Sequence, residues 1–485
     1  MPIAFSEISS TTRTPFVFVE FDASRAATGV QAQPYKNLLI GQRRSVGTVA
    51  ALVPTRLQNA DQGALYFGVG SQLAQMAAAH FANNNSTETW ALALADPSGA
   101  SATGAITFAG TATEAGTIAV YIQGRRYALA VAIGTTAAAL ATALAAALET
   151  SLMVTGAAVA GAVNLTSRHV GAIGNDVDLR VSYQDGELVP AGLTCTPTAM
   201  SSGSGDPTLS AAWAPLGDQW FNVLAVPFTD TTSLTSLEGE LASRASAARK
   251  IGAVAIGAKT GTLGTLSSLG NGRNSPRSSI VGTNLSPTSP WEFAAAEAAV
   301  VSKYAAIDPA RPFQTLPLVG VLAPAAKDRF TQAERNSLLF AGISTYTVAS
   351  DGTVQLERTI STYKTNAAGG ADPAWLDINT PLTLDFLRFD YINLVTSKYS
   401  RHKLANDGTN FGAGQAIVTP SVMRAELVAR FRAWEELGLV EDFDQFKQDL
   451  IVERNRQDPS RLDVLMPPNL VNGLRVLATK IAFIL

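Results

Sequence analysis

One cysteine, three histidines and little charge restrict what this 485-residue chain can be. Cys195 alone excludes an internal disulfide and fits a reducing compartment. In its Leu193-Thr-Cys-Thr-Pro197 setting it reads as a small packed residue. The histidines His80, His169 and His402 lack metal-ligand spacing. Charged residues make up 15%, with 36 Lys+Arg against 39 Asp+Glu, so no electrostatic field invites nucleic acid. Yet the apolar fraction is 47%, too high for disorder. A surface so poor in charge suits a subunit largely covered by neighbours. The start, Met1-Pro-Ile-Ala-Phe-Ser-Glu7, has no basic region or apolar core, and no signal peptide is expected. Only residues 127–148 run uncharged far enough to span a bilayer. They break at Gly134-Thr-Thr136 into an alternating half and an Ala-rich helical half, so no membrane insertion is expected.

Catalytic signals are equally thin. Gly252-Ala-Val-Ala-Ile-Gly257-Ala-Lys259-Thr260 resembles a phosphate loop, but one extra Ala displaces the lysine that must follow the second glycine. Gly68-Val-Gly70 lacks the third glycine of a dinucleotide fingerprint. Glu435-Glu436 and Glu441-Asp442 read as a solvated acidic run around a helix break. No cofactor is implied, and the chain is not read as an enzyme. A nucleotide-dependent α/β enzyme stands as the alternative.

The chain ends are apolar, where termini are ordinarily polar and loose. Residues 474–485 alternate as a strand, with Val476 on one face and Leu477, Ile481, Phe483 and Leu485 on the other. Arg475 and Lys480 are the only charges in that stretch. Near the start, Phe16, Val17, Phe18, Val19 and Phe21 form a second β-prone run behind Pro15. Two readings stay open: the strands close the chain's own sheet, or they are arms that add to other copies.

Between them, the pattern predicts α/β and α+β parts in a multidomain chain. Strands at 37–40 and 89–95 flank a helix over 70–81, a βαβ unit. Residues 97–209 turn Ala/Gly/Thr-rich with short alternating runs and one helix near 136–150, bounded by breakers at 96–100 and 201–207. They read as a mainly β inserted domain. Alternation resumes with strands at 221–227, 251–256 and 278–282 and helices at 233–250 and 290–307, the latter opening on Glu292. Together 37–96 and 210–340 are expected to form a helix-covered, mostly parallel sheet core. Residues 1–36 are an arm and connector. A C-terminal α+β domain is expected over 341–485, with a hairpin turning at Asp351-Gly352 and helices over 385–398 and 420–438. In the last of these Val422, Leu427, Phe431, Trp434 and Leu437 make the apolar stripe, and 443–452 is a further amphipathic run.

Several strings in the last third carry a family likeness. Gly342-Ile-Ser-Thr-Tyr346, Tyr399-Ser-Arg-His-Lys-Leu404-Ala-Asn-Asp-Gly408, Asp444-Gln-Phe-Lys447 with Asp449-Leu-Ile-Val-Glu-Arg454, and Arg461-Leu-Asp-Val-Leu-Met-Pro-Pro-Asn-Leu470 resemble the tail sheath proteins of Mu-like contractile phages. Residues 15–21 look like the strand that opens sheath proteins generally. The resemblance implies a structural subunit that polymerises around an inner tail tube and contracts to drive it through the host envelope. It implies stacked rings, six subunits in each, joined by terminal β-strand arms. The implied partners are other copies, the tail tube protein, and baseplate and tail terminator proteins, with no direct nucleic acid. The place is the virion tail, after assembly in the host cytoplasm. It also places a helix before the C-terminal arm against the tube, here assigned to residues 441–456 with Asp444, Lys447, Arg454 and Arg456 facing it.

Overall fold

A computed structural model describes residues 32–412 and 414–484. The N-terminal arm residues Phe16, Val17, Phe18, Val19 and Phe21, and Leu485, lie outside the described residues. Two compact units emerge: Pro34–Phe389 together with the segment from Asn472, and Asp390–Val471.

In the first unit the strands, in chain order, are β1 (Lys36–Gln42), β2 (Thr55–Leu57), β3 (Glu88–Leu94), β4 (Ser101–Gly110), β5 (Gly116–Ile122), β6 (Arg125–Val131), β7 (Val154–Val159), β8 (Ala162–Val170), β9 (Leu179–Val181), β10 (Leu193–Ser201), β11 (Val223–Ala225), β12 (Val254–Lys259) and β13 (Ser278–Gly282). A six-stranded sheet runs β13-β12-β11-β1-β3-β2, parallel except where β2 meets β3. Its strands are apolar on both faces because both are covered. Leu39, Ala91, Ala225 and Ile256 point to one side, where the helices Gln72–Asn83 and Pro290–Ala305 contribute Met76 and Trp291. Leu38, Ile40, Leu92, Leu224 and Ile280 point to the other, where Leu234, Leu237 and Leu241 of the helix Thr231–Ala245 join them. The period of two thus divides one strand between two cores.

Among the described residues, strands β4 to β10 pair only with one another, in the antiparallel orders β10-β4-β8-β7 and β6-β5-β9. The helix Ala137–Ala147, capped by Thr136, buries Leu140 and Leu144 beside them. The uncharged window at 127–148 is therefore part strand, part helix, and no described helix is long and apolar enough to cross a membrane. The breakers at 96–100 and 201–207 suggest a loosely tethered insertion, but the seam is buried. Gln75 Nε2 donates to Ser151 O at 2.8 Å and to Gln123 Oε1 at 3.2 Å, while Trp291 Nε1 donates to Gln75 Oε1 at 2.8 Å. The Gln72 N–H donates to His169 Nε2 at 3.0 Å, which leaves His169 Nδ1 to donate to Asp96 at 2.6 Å. One apolar cluster also runs unbroken from the sheet into β4–β10. Replacing residues 97–209 with a Gly/Ser linker is therefore expected to lower the melting temperature by several degrees. Each lost seam hydrogen bond is worth about 0.5–1.5 kcal/mol, and apolar seam surface is uncovered as well. An unchanged calorimetric transition would show that the seam contributes nothing.

The C-terminal α+β domain, expected to begin at 341, does not start at the unit boundary. β14 (Thr345–Val348) and β15 (Val354–Arg358) form the expected hairpin, with Gly352 at φ 86°. The hairpin belongs to the first unit because Ser344 continues the sheet edge: its N–H donates to Ile280 O at 2.8 Å and its carbonyl accepts from Gly282 N at 3.2 Å. The division falls instead inside the helix Asn379–Tyr399.

The second unit is built on the helix Pro420–Glu436, capped by Thr419. Met423, Leu427, Phe431 and Trp434 are its buried face, whereas Val422 and Leu437, expected on that stripe, are 44% and 49% exposed. Phe446 stacks on Phe431 at 4.0 Å between ring centroids. Asp390, with no exposed surface, accepts from Trp434 Nε1 at 2.6 Å and from Arg430 Nε at 2.5 Å. Arg430 Nη2 donates to its other oxygen, so two charge-assisted bonds and an indole donor satisfy that carboxylate.

Candidate assembly surfaces

The segment after Asn472 forms neither helix nor strand through Ile484. Among the described residues its apolar side chains find no cover: Val476 is 79% exposed, Leu477 81%, Ile481 83% and Phe483 79%. So long an apolar run in water marks a surface meant to be covered.

Its root is held differently. Arg475 Nη2 donates to Asp377 Oδ1 at 2.9 Å and to Asn379 Oδ1 at 3.0 Å, and Nη1 donates to Gln314 Oε1 at 3.3 Å. Asp377 is gripped from its other side by Arg358, through Nε at 3.0 Å and Nη2 at 2.8 Å. Burial pulls the Arg475 guanidinium below its ordinary pKa, and the Asp377 charge opposes that shift. Sequence reading counted Arg475 only as a charge in an apolar run. Its partners lie about a hundred residues away, so no local signal reveals them.

The expected tube-facing helix over 441–456 is not one helix. The helical part is Phe443–Asp449, where Asp444 and Lys447 are exposed and Phe446 is buried. Arg424 caps it by donating to Leu450 O at 3.3 Å and to Lys447 O. After Leu450 the backbone turns extended, and Ile451–Arg454 pairs antiparallel with Leu462–Leu465. The β-branched Ile451-Val452 pair favours this change, which an amphipathic count runs over. Arg454 therefore lies in a hairpin, donating to Pro459 O at 2.7 Å and Asn406 Oδ1 at 3.0 Å, and Arg456 is exposed beyond the strand. Neither strand of this hairpin has a second neighbour among the described residues. Its cross-strand pair Ile451 and Leu465 is 51% and 60% exposed. A two-stranded ribbon is marginal alone and offers two open edges.

The catalytic near-misses resolve as structure. Val254–Lys259 of the phosphate-loop look-alike is strand β12, and Lys259 lies 3.8 Å from Asp176. Burial pushes the Cys195 thiol up to about 12 and the His80 imidazole down to about 4, so neither is poised to react at neutral pH. Glu292, the acidic residue at the start of the helix Pro290–Ala305, is half-buried and its carboxyl is pushed up by desolvation. Among the described residues no group of three His, Cys, Asp or Glu could hold a metal ion.

Comparisons place these surfaces in context. Residues 202–362 match the phage tail sheath protein central domain, and residues 370–484 match the phage tail sheath C-terminal domain. The Mu-like prophage FluMu tail sheath protein of Haemophilus influenzae is 41% identical over 488 residues, covering all of both chains. A sheath tail protein of Desulfitobacterium hafniense superposes with a TM-score of 0.50 at 13% identity, covering 95% of this chain and 97% of that one. A chain of the six-fold symmetrised anti-feeding prophage baseplate gives 0.50 at 13% identity, covering 98% and 100%. At such low identity the last two establish likeness of fold alone.

Proposed function

Because this chain belongs to the phage tail sheath protein family, we propose that it polymerises around an inner tail tube and contracts to drive that tube through the host envelope. It is a structural subunit of a contractile sheath and not an enzyme. The full-length identity to a tail sheath protein carries this reading. In support, an apolar C-terminal segment lies exposed while the second unit offers a hairpin with two open edges. In the proposed assembly Val476, Leu477, Ile481, Phe483 and Leu485 of one copy add as a strand to the hairpin Ile451–Arg454/Leu462–Leu465 of another. Phe16, Val17, Phe18, Val19 and Phe21 are a second arm of the same kind. Strand addition supplies main-chain hydrogen bonds, with pockets for alternate side chains. A head-to-tail contact that does not close propagates as a helical array.

Rings of six, contacts with baseplate and terminator proteins, residues 97–209 on the outside, and assembly in the host cytoplasm complete the proposal. Negative-stain microscopy of the purified chain, alone and with its tube protein, tests it. Hollow tubes or stacked rings are expected, and discrete small particles in both preparations would overturn it.

The tube contact is assigned to the short helix Phe443–Asp449, with Asp444 and Lys447 presented to the tube and Arg454 and Arg456 beside it. Lys447→Glu is expected to weaken co-sedimentation with tube protein, more at low salt than at high, without affecting self-assembly. It is a cleaner test than reversing Arg454, which already has partners in its own unit. Unchanged co-sedimentation would move the contact to the helix Pro420–Glu436.

A further inference from the structure

The geometry points to Arg475 as a positioning residue that fixes where the C-terminal arm begins and how far it reaches. This rests on the reading of that segment as an arm. Four observations carry it. Arg475 is the one described residue of the segment whose side chain is engaged deeply, at 14% exposure, while its neighbours Leu474 and Val476 are 69% and 79% exposed. Its acceptors are themselves held: Asn379 Nδ2 donates to Pro309 O and Arg311 O, both at 2.8 Å, and Asp377 is forked by Arg358. Just before it, a Cβ on Gly473 would come 2.6 Å from Pro312 Cγ, so the backbone is seated closely against the same loop. Gln314 Nε2 reaches the Leu474 carbonyl at 3.4 Å.

A guanidinium in a fork of fixed acceptors is a directional anchor, which a lysine cannot reproduce. Val476 to Leu485 are ten residues. As a strand these span roughly 33 Å, which sets the distance within which an accepting hairpin must lie. If the root lifted, the free length would grow and its end would spread over a larger volume. The effective concentration of the arm at its acceptor would fall accordingly. The clamp therefore acts through the arm, by fixing its origin.

Trypsin reads the clamp directly, because a cleavable bond must be drawn out as an extended segment, and cutting follows the population that opens. In the free full-length subunit the first cut is expected after Lys480. The bond after Arg475 should be cut about tenfold more slowly. Asp377→Asn and Arg475→Lys should both bring the second cut close to the rate of the first, while cooperative melting is retained. Arg475→Lys keeps the tryptic site and leaves the Arg358–Asp377 pair in place, so it remains informative if Asp377→Asn folds poorly. Equal rates at both bonds in the unaltered chain, or no change in either variant, would overturn the clamp. Under assembly conditions Arg475→Lys is expected to give fewer and shorter tubes than the unaltered chain, and normal tubes would overturn the positioning role. Absence of tubes from the unaltered chain would count against the sheath reading itself, whereas the trypsin comparison stands without assembly.

Discussion

A chain ending at Arg475 is expected to fold and melt as the full chain does, yet to form no tubes. The described residues it loses, Val476 to Ile484, are all exposed and belong to no helix or strand. Little native contact disappears with them. Cutting after Arg475 rather than before it also leaves the Asp377 carboxylate with both of its guanidinium partners. In an assembly the missing arm would have contributed several ladder hydrogen bonds of about 0.5–1.5 kcal/mol each, besides burying Ile481 and Phe483. Repeated around a ring and between rings, such contacts act together, and their loss is far larger than one arm suggests. Circular dichroism and calorimetry check the first half of the expectation, and electron microscopy the second. Long tubes from the shortened chain would remove the arm from the assembly. A chain that cannot fold would return the segment to the subunit's own structure.

Glu297→Gln is expected to stabilise the free subunit at neutral and alkaline pH. Glu297 lies midway along the helix Pro290–Ala305, 1% exposed, among alanines packed beneath the sheet. Its Oε1 accepts from Thr359 Oγ1 at 3.0 Å, but Oε2 has no partner among the described residues. Burial pushes its carboxyl up to about 7 from an ordinary 4.5. A raised folded-state pKa means that the native chain holds a proton which the unfolded chain has released. Stability is therefore undiminished below about pH 4.5, falls as pH rises towards 7, and stays reduced above that. The shift corresponds to roughly 3 kcal/mol. Gln keeps the shape and the Thr359 contact without a charge to bury, so its advantage should approach that figure at pH 8 and vanish near pH 4.5. Urea unfolding at both pH values measures it. An equal difference at the two would show that the Glu297 charge is not what costs the native state its stability.

Much of the architecture was legible because it is local. Hydrophobic period and capping residues placed the strand at 278–282, the helix from Thr136, the Asp351-Gly352 hairpin and the helix from Pro420 close to where they lie. Leu38, Leu39 and Ile40, consecutive in β1, put apolar side chains on both faces of the strand and so already require cover on both, hence a helix-flanked parallel sheet. The apolar run at 474–485 was legible too, but whether it closes the chain's own sheet stayed open in the sequence, and only the structure leaves Val476, Leu477, Ile481 and Phe483 exposed.

Other features depended on partners distant in the chain. Composition changes at 96–100 and 201–207 mark the insertion, but only folding brings Gln75 to Gln123 and His169 to Asp96 and makes the seam a buried one. A change of texture at 341 had no bearing on the unit boundary, because one strand-edge contact at Ser344 binds the hairpin to the first unit. The run 443–452 has helical spacing, yet pairing with Leu462–Leu465 turns its second half into strand. Periodicity by itself determined most of the residues that must leave water, with Val422 in the helix Pro420–Glu436 and Leu437 at its end as exceptions. Which of them meet, and that Arg475 engages Asp377 and Asn379 where sequence spacing shows only a stray charge, was decided by contacts between residues about a hundred positions apart, which that spacing does not encode.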